Sequence, residues 1–207
     1  MTMRKLLLLS LFALLPVLHL AAPPSSAAQQ PKLDIKFFLG FSETTYVAML
    51  ETGRERTLFP SYQIGFGARV RQNKAFIEVL FSFNRWLYEG VNPDLGGVET
   101  QVNSFELPFL AGYIPYQNPY FKMFLYAGYV NHFNTKIILR RDGQPSLRLK
   151  PKADNLAIYQ AIARFGVNFD LAMFNFDMNY SISLNSATTT SYRTGYHQIQ
   201  LNLAYVF

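Results

Sequence analysis

The sequence offers few side chains that could carry out acid–base or nucleophilic chemistry. Histidine occurs only at His19, His132 and His197, and cysteine is absent, which excludes disulfides, thiolate metal sites and thiol catalysis. An enzyme acting on lipid A needs a nucleophile or base with an orienting partner, and the sequence contains no His-x-Ser arrangement and no Gly-x-Ser-x-Gly motif. No histidine and carboxylate cluster has metal-ligand spacing. We therefore expect no enzymatic activity and no cofactor, and we interpret His132 as a polar rim residue.

Charged residues on the polar face of alternating segments form a second candidate site. The acids are Asp34, Glu78, Glu106 and Asp177, and the bases are Lys36, Arg69, Lys122 and Arg164. Buried charges must be paired, so these eight residues are predicted to form a neutralised charge network inside the fold. A proton or ion path is the alternative interpretation of the same set.

A basic segment near residue 140 is the third candidate. Its cations are Lys136, Arg140, Arg141, Arg148, Lys150 and Lys152. The segment 137–150 has the pattern of a hairpin that turns at Asp142-Gly143. Such a cluster could contact lipopolysaccharide phosphates or an acidic partner. The alternative is a solvated hairpin that extends above a membrane.

The elements that must position these residues are predicted to be strands, because apolar and polar residues alternate with a period of two. The alternating segments are 33–42, 62–71, 74–86, 103–113, 120–133, 156–169, 172–185 and 195–207. Short turns at Gln72-Asn73, 116–119 and Phe169-Asp170 alternate with long loops at 43–60, 87–102, 134–155 and 186–194. This layout predicts an all-β fold, an eight-stranded antiparallel up-and-down transmembrane β-barrel with its short turns in the periplasm. The turn at Gln72-Asn73 would make Arg69 and Glu78 diagonal neighbours.

Composition supports a barrel that faces lipid rather than water. Aromatic residues make up 16 % of the 207 residues and charged residues only 15 %, whereas a soluble domain carries about 25 % charged residues. The full chain has a formal net charge of +6; without Arg4 and Lys5, 17 basic residues remain against 13 acidic ones, a net charge of +4. That charge is too modest to indicate a nucleic-acid partner.

The N-terminal segment has the layout of a secretory signal peptide. Arg4 and Lys5 precede an apolar run, and Pro23, Pro24 and small residues follow it. Cleavage between Ala28 and Gln29 would divide the chain into a signal peptide at 1–28 and a barrel domain at 29–207. We therefore expect export to the outer membrane of a Gram-negative cell.

The last strand resembles the C-terminal strand of Gram-negative outer-membrane barrels, in which an aromatic residue follows apolar residues at alternate positions. Leu203, Tyr205 and Phe207 occupy those positions here. The resemblance implies that these three residues are an assembly signal and that the barrel assembly machinery of the outer membrane is a partner.

A second resemblance covers the middle of the chain. The run Asn-Ser-Phe-Glu-Leu-Pro-Phe-Leu-Ala-Gly-Tyr at 103–113, followed by Pro119-Tyr120 and by Leu-Tyr-Ala-Gly at 125–128, resembles segments of the PorT-like barrels of Bacteroidota. The resemblance implies a non-enzymatic outer-membrane barrel with a structural or accessory role in secretion or cell-surface assembly, and an envelope protein partner that the sequence does not identify. A small channel or porin is one alternative, and a lipid-A-modifying enzyme is another.

Overall fold

The computed structural model of the chain describes residues 30–50, 53–92, 96–141, 145–151, 156–188 and 194–207. The chain divides into two compact units, and the described residues belong almost wholly to the second unit, Lys32–Phe207. The predicted signal peptide at 1–28, its cleavage point between Ala28 and Gln29, and the start of the 29–207 domain lie outside these residues and stay predictions. Within the described residues no helix is long and apolar enough to cross a membrane.

The described residues of the second unit are almost entirely strand. The strands are β1 (Lys32–Leu50), β2 (Gly53–Gln72), β3 (Ala75–Asn92), β4 (Gly96–Gln117), β5 (Phe121–Arg141), β6 (Leu147–Leu149), β7 (Tyr159–Leu171), β8 (Phe174–Ser183) and β9 (Thr194–Val206). All pairings are antiparallel and run in the order β4-β3-β2-β1-β9-β8-β7-β5, and a further β4–β5 pairing closes the ring. The short strand β6 is attached only to β5. The predicted closed, eight-stranded antiparallel barrel is confirmed.

The barrel has its apolar residues outside and its polar residues inside. On β8 the outward Phe174, Phe176 and Met178 are 46 %, 48 % and 52 % exposed, whereas the inward Asn175 and Asn179 are 1 % and 3 % exposed. A soluble barrel would have the opposite arrangement, because it would bury its large apolar residues away from water. The reversal is the arrangement expected of a barrel whose outer surface contacts lipid.

The strands extend further than the sequence pattern indicates at one end of the barrel. The predicted long loops at 43–60 and 87–102 are wrong in this respect, since β1 pairs with β2 as far as Leu50 and Gly53, and β3 pairs with β4 as far as Asn92 and Gly96. Backbone pairing can continue where the clean apolar alternation stops, because the ladder hydrogen bonds do not depend on which face is apolar. We call this the hairpin end and the opposite end the turn end.

Two turns at the turn end lie further along the chain than predicted. The β2–β3 turn is Asn73-Lys74, between Gln72 and Ala75, and Asn73 has a positive φ of 54°. Two-residue hairpin turns require such a φ, and asparagine tolerates it better than most residues. The β7–β8 turn at Ala172-Met173 replaces the predicted turn at Phe169-Asp170.

The corrected registers change which charges face each other. Arg69 lies directly opposite Glu78 rather than diagonal to it. A turn at Phe169-Asp170 would likewise make Arg164 and Asp177 near neighbours across β7 and β8. That expectation is wrong, because Arg164 lies opposite Ser181 and Asp177 lies opposite Asn168. A period-two pattern cannot reveal a register shift of this kind. It indicates which face of the sheet a side chain lies on, but not which residue lies opposite on the neighbouring strand.

The outward apolar residues form a belt between two rims of tyrosines. Tyr62, Tyr159 and Tyr180 lie toward the hairpin end, and Tyr113, Tyr116 and Tyr205 lie toward the turn end. On β9 the outward Ile199, Leu201 and Leu203 are 57 %, 55 % and 49 % exposed, and they lie between His197 and Tyr205. At about 3.3 Å per residue and a strand tilt of about 40°, the eight steps from His197 to Tyr205 span about 20 Å along the barrel axis. Aromatic girdles flanking an apolar band are typical of membrane barrels.

We predict that cations are costly only within this belt. Leu201→Arg and Phe176→Arg should each lower the free energy of unfolding in lipid vesicles by about 2–4 kcal/mol, because an arginine near mid-membrane must be desolvated. Leu58→Arg is the matched control, since Leu58 is 61 % exposed and lies beyond Tyr62 toward the hairpin end. That variant should change stability by less than about 1 kcal/mol. Equal stability of all three variants in a urea titration would show that the belt does not contact lipid.

Candidate functional site

The lumen near the turn end contains a cluster of buried ion pairs. Glu78 is 1 % exposed and accepts from both Lys36 Nζ at 2.5 Å and Arg69 Nε at 2.7 Å. Arg69 also donates through Nη1 to Asp170 Oδ2 at 3.1 Å. The guanidinium carbon of Arg69 lies 4.0 Å from the ring centroid of Phe124. The structure therefore places three residues of the predicted network together and adds Asp170, which the sequence analysis missed.

A further ion pair lies at the turn end itself. Arg71 donates to Asp34 through Nε at 2.5 Å and through Nη2 at 2.7 Å, a two-point contact of guanidinium with carboxylate. Arg71 was not assigned to the network from the sequence, although it shares the inward face of β2 with Arg69. Lys122 is half-buried at the same end and takes part in none of the ion pairs formed among the described residues.

A separate cluster lies toward the hairpin end around Glu106, which is fully buried. Glu106 accepts from Arg164 Nη2 at 2.7 Å, and its other oxygen lies 3.1 Å from His132 Nδ1. The second ring nitrogen of His132 lies 3.1 Å from Asn134 Oδ1, and the ring packs 5.0 Å from Trp86 between centroids. The interpretation of His132 as a rim residue is wrong, since its side chain is fully buried in the lumen. Its inward position on β5 was available from the alternation.

Asp177 binds neutral donors rather than a cation. It accepts from Tyr126 Oη at 2.6 Å, Asn202 Nδ2 at 2.8 Å and Asn179 Nδ2 at 2.9 Å. Three such donors satisfy most of the acceptor capacity of one carboxylate. Asp177 therefore belongs to the polar lumen but joins no ion pair within the described part of the chain.

Aromatic rings fill the space between the two charged clusters. The ring of Phe38 lies over Gly65, and the ring of Tyr126 lies over Gly166, so closely that a Cβ at either glycine would come within 2.4 Å of the ring. Glycine is required at both positions because any other residue would displace the ring. Beside these rings remains a cavity of about 10 Å³, lined by Lys36, Gln63, Arg164, Asn175, Asp177 and Asn202 among others. Such a space holds about one water molecule.

The basic segment lies outside the lumen at the hairpin end. Ile137 and Leu139 of β5 pair with Leu149 and Leu147 of β6, so the segment forms the predicted hairpin, whose turn at Asp142-Gly143 lies outside the described residues. Arg148 and Lys150 are exposed and Lys136 is half-buried. The contact of Arg140 with Glu99 is 3.8 Å long and about half exposed, so it contributes little to stability. Lys152 and the side chain of Arg141 lie outside the part of the chain that the structure describes.

The three residues of the predicted assembly signal lie on the lipid-facing side of the seam between β9 and β1. Leu203, Tyr205 and Phe207 are 49 %, 39 % and 68 % exposed. The backbone nitrogen of Phe207 donates to the Ile35 carbonyl at 2.9 Å, and its ring meets that of Phe37 edge-on at 5.9 Å. Phe207 thus joins the last strand to the first at the turn end.

The described side chains of the lumen interact through ion pairs and polar hydrogen bonds. Both ring nitrogens of His132 face oxygen atoms of Glu106 and Asn134, so neither is directed at a hydroxyl group. Among the described residues no three histidine or carboxylate side chains converge as metal ligands would. What the lumen does physically is hold opposite charges and bulky rings across the barrel axis.

These features together define the class of protein. The chain forms a closed eight-stranded β-barrel with an apolar outer belt, aromatic rims and a polar, filled lumen. That combination of features is the design of a small transmembrane barrel.

Comparison with known proteins gives the following likenesses. No protein-family model matches the chain, and no curated protein is similar to it in sequence. The structure is similar to Ail, the attachment invasion locus protein of Yersinia pestis, with a TM-score of 0.49 and 12 % identity over 84 % of this chain and 98 % of that one. It is also similar to Neisserial surface protein A, with a TM-score of 0.44 and 12 % identity over 82 % of this chain and 96 % of that one. The likeness to the outer membrane enzyme PagL has a TM-score of 0.44 and 12 % identity over 79 % of this chain and 98 % of that one.

We predict that Glu78 supports the stability of the whole barrel. Glu78→Ala should lower the free energy of unfolding by about 3–5 kcal/mol, because it leaves the buried Lys36 and Arg69 without their shared carboxylate. Glu99→Ala is the matched control, since the one ion pair of Glu99 within the described residues is its long, half-exposed contact with Arg140. This variant should cost less than about 1 kcal/mol. Unfolding can be followed by the fluorescence of Trp86, the single tryptophan of the chain. Similar losses for both variants would contradict the assignment.

Proposed function

We propose that this protein is an integral barrel of the Gram-negative outer membrane, exported by its N-terminal signal peptide, that neither conducts ions nor catalyses a reaction. Its role is structural or accessory, in secretion or cell-surface assembly, as the resemblance to PorT-like barrels implies. The observation that carries the proposal is the lumen. Ion pairs around Glu78 and Glu106 and the rings of Phe38, Phe124 and Tyr126 fill it from one end of the membrane belt to the other.

Export to the outer membrane is supported by the apolar belt. A β-barrel can cross a bilayer because closure satisfies every backbone hydrogen-bonding group within the ring. The long hairpins and the short turns lie at opposite ends, which is the asymmetry of outer-membrane barrels with short turns in the periplasm. On this topology the hairpin end of our barrel faces the cell exterior.

Two alternatives remain as outcomes of experiment, a small channel and a lipid-modifying enzyme. Conduction requires a continuous water column, and the cavity beside Asp177 holds about one water molecule. Catalysis on lipid requires a nucleophile or base that lipid can reach. Of the two histidines in the barrel, His132 is enclosed within it, whereas His197 is partly exposed and contacts the Tyr180 hydroxyl. Mass analysis of lipid A from a deletion strain tests the enzymatic alternative directly. Co-purification from the membrane tests the accessory role.

We predict that the wild-type protein gives no steady single-channel steps in planar bilayers, because its paired charges and rings interrupt the lumen. Glu78→Ala removes the carboxylate shared by Lys36 and Arg69, and it is expected to destabilise the barrel before it opens a path. The control is Glu99→Ala, which leaves the lumen intact. Reproducible steps in wild type that change in Arg69→Ala or Glu78→Ala would establish the channel instead.

A further prediction concerns assembly. Deletion of Phe207 should lower the heat-modifiable, folded population in cells, because Leu203, Tyr205 and Phe207 form the signal that we expect the assembly machinery to bind. Phe207→Tyr keeps the aromatic ring and the backbone contact with Ile35, so it should insert normally. Spontaneous folding of the deletion variant into detergent should be affected less than insertion in cells. Unchanged folded levels in cells after deletion would overturn the assembly signal.

A further inference from the structure

A row of polar residues crosses the outer wall of the barrel directly above its apolar belt. Tyr62, Arg85, Asn103 and Lys136 lie opposite one another in sequence on β2, β3, β4 and β5. Residues directly opposed on neighbouring strands share one face of the sheet, so the four side chains form one line outside the lumen. We call this line the polar row. Arg85 was not part of any site that the sequence indicated.

The row immediately below is entirely apolar. The next outward residues toward the turn end, Ile64, Phe83, Phe105 and Phe133, are likewise opposed in register. They lie two residues along β2, β3 and β4 from the polar row, and three residues along β5. Phe105 and Phe133 stack with their ring centroids 4.9 Å apart. The change from apolar rings to cations occurs within one step of about 7 Å along the strands. The polar row therefore lies where hydrocarbon ends and lipid headgroups begin.

A β-bulge puts Lys136 on this face. Ser104 pairs with Asn134 and Asn103 pairs with Lys136, so Thr135 is an extra residue in β5. Its hydroxyl donates to the Asn103 carbonyl at 2.9 Å. Without that insertion the alternation would direct Lys136 into the lumen and Ile137 outward. Ile137 is instead buried with 1 % exposure, and the bulge has redirected the lysine, as bulges near functional sites often do.

Arg85 is held in place by neutral partners. It donates to Tyr62 Oη at 2.9 Å and to Asn103 Oδ1 at 3.3 Å, and Gln101 also donates to that oxygen at 3.0 Å. Neither Arg85 nor Lys136 forms an ion pair with any side chain that the structure describes. Their backbones lie two strands apart, at about 10 Å, so both long side chains can reach one anion between them.

A third cation reinforces the site from the row above. Arg148 of β6 is exposed and lies opposite Ile138 of β5, two residues beyond Lys136. The carboxylate of Glu99 contacts Arg140 further out. The outer wall at this height therefore presents three cations without a carboxylate in contact among the described side chains.

We propose that the polar row is a binding site for a lipid phosphate of the outer leaflet, in which Arg85 and Lys136 contact the phosphate oxygens and Arg148 adds charge from above. Arginine binds phosphate through two parallel donors, and a cation at the headgroup boundary does not have to enter hydrocarbon. The position of the polar row along the barrel axis indicates that the phosphate belongs to lipid A. The phosphates of lipid A lie at the boundary between hydrocarbon and headgroups, which the row of apolar residues marks. The inference rests on the proposed outer-membrane location.

The test is a binding titration by native mass spectrometry of the full chain in detergent. The probes are phosphorylated lipid A, its dephosphorylated form and inorganic phosphate. Wild type should bind phosphorylated lipid A at least about tenfold more tightly than the dephosphorylated form, since hydrogen bonds to charged groups are worth more than one factor of ten. The double variant Arg85→Gln, Lys136→Gln should lose that preference, and Lys136→Arg should keep it.

The matched control is Lys74→Gln, because Lys74 is an exposed cation at the turn end, where outer-leaflet lipid does not reach. It should bind as wild type does. Absence of a preference in wild type, its survival in the double variant, or an equal loss in Lys74→Gln would each overturn the site. Competition by inorganic phosphate at the concentration of lipid A would identify an anion site without a lipid source and would also overturn it.

Insertion of wild type into phosphatidylcholine vesicles, read by heat-modifiable mobility, separates this inference from the proposed function. A protein that fails to insert contradicts the membrane location itself. A protein that inserts but shows no preference for phosphorylated lipid contradicts only the polar row.

Discussion

The structure depends on neutralising charge inside a barrel that is too narrow to hydrate it. An eight-stranded ring leaves an interior that side chains can fill, and a buried charge without a partner destabilises a protein strongly. Glu78 meets this constraint with Lys36 and Arg69, and Glu106 meets it with Arg164 and a contact to His132. Each cluster ties together strands that are distant in the chain, so the lumen holds the ring in one register.

The rings inside the barrel follow from the same restriction. Phe124 packs against the guanidinium of Arg69 and edge-on to Phe76 at 5.3 Å, and the space left beside the central cluster is water-sized. Close approach of Phe38 and Tyr126 to the wall is possible only because Gly65 and Gly166 have no side chain. On each strand the inward side chains make directed polar contacts, whereas the outward side chains make undirected apolar contacts. The outer face tolerates exchange among apolar residues, whereas the inner face requires particular partners.

A filled lumen moves recognition to the outside of the barrel. The strands β1 to β5 contain 18–22 residues each, whereas about 9–11 residues cross a bilayer. The surplus forms hairpins beyond the tyrosine rim, and the basic segment is part of that extension. The bulge at Thr135 stands at the boundary between the two regions, and it changes which side chains of β5 face outward from that point on.

The sequence by itself determined the number of membrane-crossing strands, the two faces of each strand and the membership of most charges in the inner face. These follow from a period of two, which local residue order carries completely. Only the tertiary structure decided the partners. A period of two cannot distinguish registers that differ by a whole repeat, and it cannot locate a turn to within one residue. The shift of the turn to Asn73-Lys74 appears only in the pairing of β2 with β3. The ion pair of Arg69 with Asp170 depends on contact between β2 and β7, which are far apart in the chain. The bulge that turns Lys136 outward is seen only in the pairing of β5 with β4, where the Thr135 hydroxyl donates to the Asn103 carbonyl.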